Sequence, residues 1–137
     1  ELVAFTANQT HNGERLPIYH TNVMMCVADE YVIVCLDTID DKNERKMLEQ
    51  TILKSGKEVI EITEEQKGRF AGNMLQIQGN EAYLVMSSSA YNSLSEVQIE
   101  RIQSFNPILH NDINTIEACG GGSARCMMAE IFLPYNS

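Results

Sequence analysis

Two side chains could carry out covalent chemistry together if the fold united them: the thiol of Cys126 and the imidazole of His20. A cysteine nucleophile needs a partner that gives or takes a proton near neutral pH, and imidazole supplies one. Cys126 ends the run Gly120-Gly121-Gly122-Ser123-Ala124-Arg125-Cys126. Three successive glycines are entropically costly in any element. They are explained by a backbone that passes close to a bound molecule and offers it N–H groups, or by a plain flexible turn. His20 lies in Ile18-Tyr19-His20-Thr21-Asn22, just ahead of an apolar run. A histidine so placed serves either as a reactive group or as a hydrogen-bonded structural residue. His11 and His110 have more polar neighbours and read as exposed, without a role.

What would position Cys126 and His20 is a repeat. Asn22 to Val27 is a strand candidate, Ala28-Asp29-Glu30 a turn and Tyr31 to Leu36 a second strand. Met47, Leu48 and Ile52 fall at helical spacing within Asp40 to Ser55, and Gly56 is a natural stop. Glu58 to Ile62 is the returning strand. The order recurs with strands over Asn73 to Ile77 and Ala82 to Met86, a helix from the Ser95/Gln98 capping box to about Phe105, and an extended return over Ile108 to Ile113. Thr63 and Gln66 form another capping box between the units, read as ordinary scaffold. A third copy starts at Arg125-Cys126-Met127-Met128 and breaks off at the end of the chain. Strand-strand-helix-strand at a period of about fifty residues is the mark of radially repeated blades. Such blades bring equivalent strand beginnings to one end of a central axis. His20, Asn22, Asn73 and Cys126 are then expected to converge.

The three segments His20-Thr21-Asn22-Val23-Met24-Met25, Phe70-Ala71-Gly72-Asn73-Met74-Leu75 and Gly120 to Met127 resemble, in this order, the C-terminal motifs of the amidinotransferase and arginine deiminase superfamily. The resemblance is nearest to its citrulline-utilisation hydrolases and covers essentially the entire chain. It implies an α/β fold, a pseudo-fivefold propeller of β-β-α-β blades, of which residues 1–137 would be the C-terminal portion with about two and a half blades. The N-terminal blades would lie outside it. That agrees with a start, Glu1 to Thr6, that lacks an initiator Met and reads as a strand already in progress.

The resemblance also implies that Cys126 is the catalytic nucleophile and His20 its acid/base partner, with no metal or cofactor. The acidic residue that orients the histidine in that superfamily would come from the missing half. Glu117 and Glu130 flank the cysteine motif but match no such position. Arginine-directed relatives carry an aspartate two residues after the histidine, where this chain has Asn22. A neutral amide suits a neutral ureido group, which both donates and accepts hydrogen bonds. Asn22 and Asn73 are thus expected at the substrate, unless each simply shapes a turn. The expected activity is hydrolysis of the ureido or guanidino group of an arginine-related amino acid, citrulline first, through a covalent cysteine adduct. An arginine deiminase or amidinotransferase, also on methylated arginine, is the alternative. A non-catalytic propeller scaffold and a cysteine peptidase are more distant ones. This portion alone is expected to be inactive, and to pair with another copy or with the missing half.

Composition narrows the classes. Of the 137 residues, 44% are hydrophobic and 21% charged, as in ordinary globular proteins. The net charge of -9, with ten scattered basic residues, disfavours nucleic acid as a partner. No apolar stretch reaches the roughly 20 residues of a membrane span, and Glu1 to Thr6 has no signal-peptide pattern. The cysteines Cys26, Cys35, Cys119 and Cys126 form no C-x-x-C or zinc-finger spacing. Cys26 and Cys35 sit in apolar runs, as small buried hydrophobes do, which points to a reducing, cytoplasmic setting. Asn8-Gln9-Thr10 fits a glycosylation triplet, but such triplets arise often by chance.

Overall fold

In the computed structural model, which describes residues 2–131, eight short strands form three small sheets flanked by helices. The first is a hairpin of β1 (Asn8–His11) and β2 (Glu14–Pro17). Its turn is Asn12-Gly13, with φ of 51° and 83°, the left-handed pair that a tight hairpin requires. Residues 2–7 form no strand, so the expected continuing strand is replaced by this hairpin a few residues on.

The two repeat units follow. In the first, β3 (Met25–Val27) pairs antiparallel with β4 (Tyr31–Val34), the chain crosses through α1 (Lys42–Lys54), and β5 (Glu58–Glu61) returns parallel to β4. In the second, β6 (Leu75–Gln78), β7 (Ala82–Ser87) and β8 (Ile108–Asn111) pair in the same way, across α3 (Ser88–Ser93) and α4 (Glu96–Gln103). Each strand of the second unit begins about fifty residues after its counterpart in the first. The β-β-α-β reading thus holds twice over. The described residues show three separate sheets and no closed propeller.

Local chemistry explains the boundaries. Asp41 accepts hydrogen bonds from the backbone N–H of Asn43 and Glu44 and starts α1. Thr63 with Gln66, and Ser95 with Gln98, form complete capping boxes for α2 (Glu64–Gly68) and α4. The two boxes also bond to each other, Gln66 Nε2 donating to Gln98 Oε1 at 2.7 Å.

Strand β4 is buried on both faces, and Tyr31, Ile33, Val34 and Cys35 have no exposed surface. They pack with Met24, Ile39, Ile62 and, from the second unit, Met74, Leu84, Met86 and Ile102. Between the units Asn106 is buried, and its Oδ1 accepts from Tyr31 Oη at 3.0 Å and Gln76 Nε2 at 2.9 Å. One apolar core therefore holds the two units in fixed relation, and Asn106 between them is paired rather than stranded.

Two boundaries differ from the sequence reading in a way that matters. Asn22 and Asn73 precede their strands instead of opening them. Thr21–Val23 is a 3-10 turn, in which Met24 N–H bonds to the Thr21 carbonyl, and Asn73 N–H bonds to the Phe70 carbonyl in a turn of its own. The third copy likewise opens with a 3-10 turn, Ala124–Met127, and residues through 131 are in no strand; its continuation over 132–137 lies outside the described residues.

Candidate active site

Each of the three turns brings one polar side chain to a common point. Gly72 is the contact that lets the first two meet: a Cβ there would stand 2.6 Å from the Val23 carbonyl oxygen and 2.8 Å from Met24 carbonyl carbon. Only glycine permits that approach. Asn73 Nδ2 donates to the Asn22 carbonyl at 3.0 Å, and the Asn73 carbonyl accepts from Arg125 N–H at 3.3 Å. The 3-10 turn of Cys126 is thereby held against the second turn, and the second against the first. Residues separated by about a hundred positions meet because the repeat stacks equivalent turns side by side.

Cys126 Sγ lies at the centre. Asn73 Nδ2 donates to it at 3.2 Å, and Asn22 Nδ2 approaches within 3.9 Å. Asn73 is buried, with 4% exposure. The Oδ1 atoms of Asn22 and Asn73 are both buried and, among the described residues, accept no hydrogen bond. Leaving a buried acceptor empty costs about 1–3 kcal/mol, so both oxygens call for a partner from the cavity. Gly122 passes close by: a Cβ there would be 3.0 Å from both Cβ and Sγ of Cys126.

His20 caps the first 3-10 turn in an extended conformation, and its ring meets that of Tyr19 edge-on at 5.0 Å. It is exposed, as is Cys126. A cavity of about 180 Å³ is lined by His20, Asn22, Asn73, Gly121, Gly122 and Cys126 together. The four residues singled out from the sequence therefore share one small cavity. His20 and Cys126 make no direct hydrogen bond and meet only as lining residues of that cavity.

The loop carrying Cys126 has its own brace. Glu117, on α5 (Asn114–Gly120), is buried and accepts from Ser123 Oγ at 2.6 Å, and the Ser123 carbonyl accepts from Cys126 N–H at 3.1 Å. Gly121 ends α5 in the left-handed conformation, φ 66°, that glycine tolerates. Phe70, at the cavity wall, adopts φ 67° without being glycine, a local strain of the kind held by surrounding structure at functional sites. Arg125 turns away, its Nη1 donating to the Met128 carbonyl at 3.0 Å.

Sequence reasoning passed over two residues of the wall. Lys67 and Gln9 line the cavity, and Lys67 Nζ donates to Gln9 Oε1 at 2.8 Å. Gln9 reaches the site because the hairpin is tied down by Arg15, which donates to Asp40 at 2.5 Å and Glu64 at 2.6 Å. Those two carboxylates raise the Arg15 pKa above its ordinary value. Lys67 is 8% exposed, and burial lowers its pKa from the usual lysine value. His11 and His110 lie outside the cavity, both exposed.

The repeat and the three stacked turns agree with a place in the amidinotransferase and arginine deiminase (pentein) superfamily, to which the family match assigns the chain. Residues 1–133 match the family model described as "N,N dimethylarginine dimethylhydrolase, eukaryotic", and the chain belongs to that family. Among solved structures it is similar to apo ArgZ, an arginine dihydrolase from the ornithine-ammonia cycle in cyanobacteria, with a TM-score of 0.59 and 19% identity. That likeness concerns the fold. It covers 80% of this chain and 15% of ArgZ, so the chain corresponds to a small share of the larger protein. No curated protein matches the chain.

Proposed function

We propose that this chain carries the nucleophilic half of a hydrolase acting on the guanidino or ureido group of an arginine-related amino acid. The observation that carries the reading is Cys126 Sγ held under the carboxamides of Asn73 and Asn22 in a cavity that His20 also lines. The Cys126 thiolate attacks the central carbon of the group, forming a C–S bond and a tetrahedral intermediate. His20 protonates the departing nitrogen as its C–N bond breaks. It then takes a proton from the water that cleaves the adduct, which restores the thiol and releases the carbonyl product. The Asn73 N–H supports negative charge on sulfur, and the glycine-rich loop, with Gly121 and Gly122 in the cavity lining, offers backbone N–H donors to the intermediate.

Citrulline is the substrate the chemistry of the wall favours. No carboxylate lines the cavity among the described residues, and both amides beside the sulfur are neutral. A ureido group needs donors and acceptors rather than a counter-charge, whereas a guanidinium gains most from a carboxylate. The family match supports the second reading, a methylated arginine, with the missing acidic group supplied from outside residues 1–137. In either reading the chain is the C-terminal portion of a larger propeller and is inactive alone.

The test is turnover by the full-length protein of citrulline, arginine and dimethylarginine, repeated with Asn22→Asp. Citrulline preferred by the unmodified protein, with the preference moving toward the cationic substrates in the variant, supports the ureido reading. Far better turnover of a cationic substrate before any substitution overturns it, and absence of turnover together with an unlabelled Cys126 after a haloacetamidine trap overturns the hydrolase itself.

A further inference from the structure

Beyond the sulfur and the two amides, the cavity contains a charge that the reaction does not use. Lys67 is the one lysine or arginine among its lining residues. Its ammonium has three N–H donors, and among the described residues only Gln9 Oε1 accepts from it. Among the described residues no carboxylate forms an ion pair with it; Glu64, on the same helix, acts on its charge without pairing and is engaged by Arg15. A buried ammonium with no directly paired carboxylate is costly, by several kcal/mol in general terms, and a second acceptor of opposite charge would offset that cost.

We propose that Lys67 forms a carboxylate subsite in the cavity of Cys126, which selects substrates bearing a carboxylate at the end remote from the reacting group. The inference rests on the hydrolase reading and adds to it the part of the substrate that would determine orientation. An amino acid entering the cavity with its ureido or guanidino end at the sulfur leaves its carboxylate for another part of the lining, where Lys67 is the one lysine or arginine. The surface of the chain, at net charge -9, repels anions. An inward-facing lysine therefore provides a local place where a carboxylate is favoured, and Gln9 holds that lysine in position. Burial already lowers the Lys67 pKa, and a bound anion would reverse that shift.

The experiment compares citrulline with its decarboxylated amine analogue in the full-length protein, as a ratio of kcat/KM, for the unmodified protein, Lys67→Met and Lys67→Arg. The Met variant keeps length and removes only the charge, and the Arg variant keeps the charge. A charge-assisted hydrogen bond predicts that the ratio falls roughly 10- to 100-fold in the Met variant and is largely retained in the Arg variant. An equal loss for both compounds, or an unchanged ratio, overturns the subsite and leaves Lys67 as a strut between α2 and β1. Calorimetric binding of the same pair reads the preference independently of turnover. A protein that hydrolyses neither compound yet binds the carboxylate form more tightly, with that difference lost in Lys67→Met, retains the subsite while the hydrolase reading fails. Binding without any such difference overturns the subsite.

Discussion

A single amide nitrogen, Nδ2 of Asn73, donates both to the backbone carbonyl of Asn22, at 3.0 Å, and to the sulfur of Cys126, at 3.2 Å. It ties the positions of two turns to a thiol in the third. Removing it in Asn73→Ala should slow alkylation of Cys126 roughly 10- to 100-fold at fixed pH, because a hydrogen bond to a charged group contributes about 1.5–3 kcal/mol. Mass spectrometry of iodoacetamide-treated protein gives the rate. An unchanged rate would mean that the contact does not support the anion.

Gly72 is where the first two turns touch, and the clash of an added methyl is with backbone rather than with a yielding side chain. Gly72→Ala should cost about 1–3 kcal/mol of folding stability, seen as a lower urea midpoint. It should also slow Cys126 alkylation, because Asn22 and Asn73 are pushed apart. Loss of stability with Cys126 alkylating at full rate would show that the turns can separate without disturbing the sulfur.

The repeat was legible because its signals are local. Met47, Leu48 and Ile52 mark a helix by spacing, the Ser95/Gln98 box marks another, and the strand pairs carry dense apolar residues. The meeting of His20, Asn22, Asn73 and Cys126 was expected from the period, and the motif resemblance singled out Cys126 and His20 among them. Where the reading failed, tertiary contacts decide. Helix α3 is a serine-rich stretch that forms because Ser87 Oγ accepts from Ala90 N–H while Ala90 is buried against the core. The β1–β2 hairpin has largely polar, exposed residues, so only its Asn12-Gly13 turn announces it. Lys67 sits in a charged helix, Glu64–Gly68, whose sequence looks like solvated surface. Its ammonium meets the hairpin at Gln9, a contact that the sequence of the helix does not announce.

Ser123 stands between Glu117 and Cys126, bonded to the first through its hydroxyl and to the second through its carbonyl. Its hydroxyl and the Glu117 side chain are buried together, so Glu117→Ala strands a donor at a cost of about 1–3 kcal/mol. Glu117→Gln keeps an acceptor and should recover most of that. Hydrogen exchange over 120–127 should quicken in the Ala variant and stay near the unmodified rate in the Gln variant. Equal protection in both would remove Glu117 from the bracing of the cysteine loop.

The four cysteines should separate into two classes. Cys119 and Cys126 are exposed, whereas Cys26 and Cys35 are buried in the core, so a thiol reagent should modify only the first two until denaturant is added. Burial raises the Cys26 pKa from 9.0 to about 12 and that of Cys35 to about 11, since the core disfavours a thiolate. A group whose folded pKa exceeds its unfolded value contributes stability that is intact below the unfolded pKa and declines as pH rises toward the folded one. The loss should therefore begin near pH 9 and continue to about 11 for Cys35 and about 12 for Cys26. Tyr31, whose pKa is also raised by burial, adds to it in the same sense. Cys26→Ala should be less stable at neutral pH through lost packing, yet show a shallower decline in urea midpoint between pH 9 and 11. A decline as steep as that of the unmodified protein would assign the alkaline loss to Tyr31 and the remaining groups instead of to the Cys26 thiol.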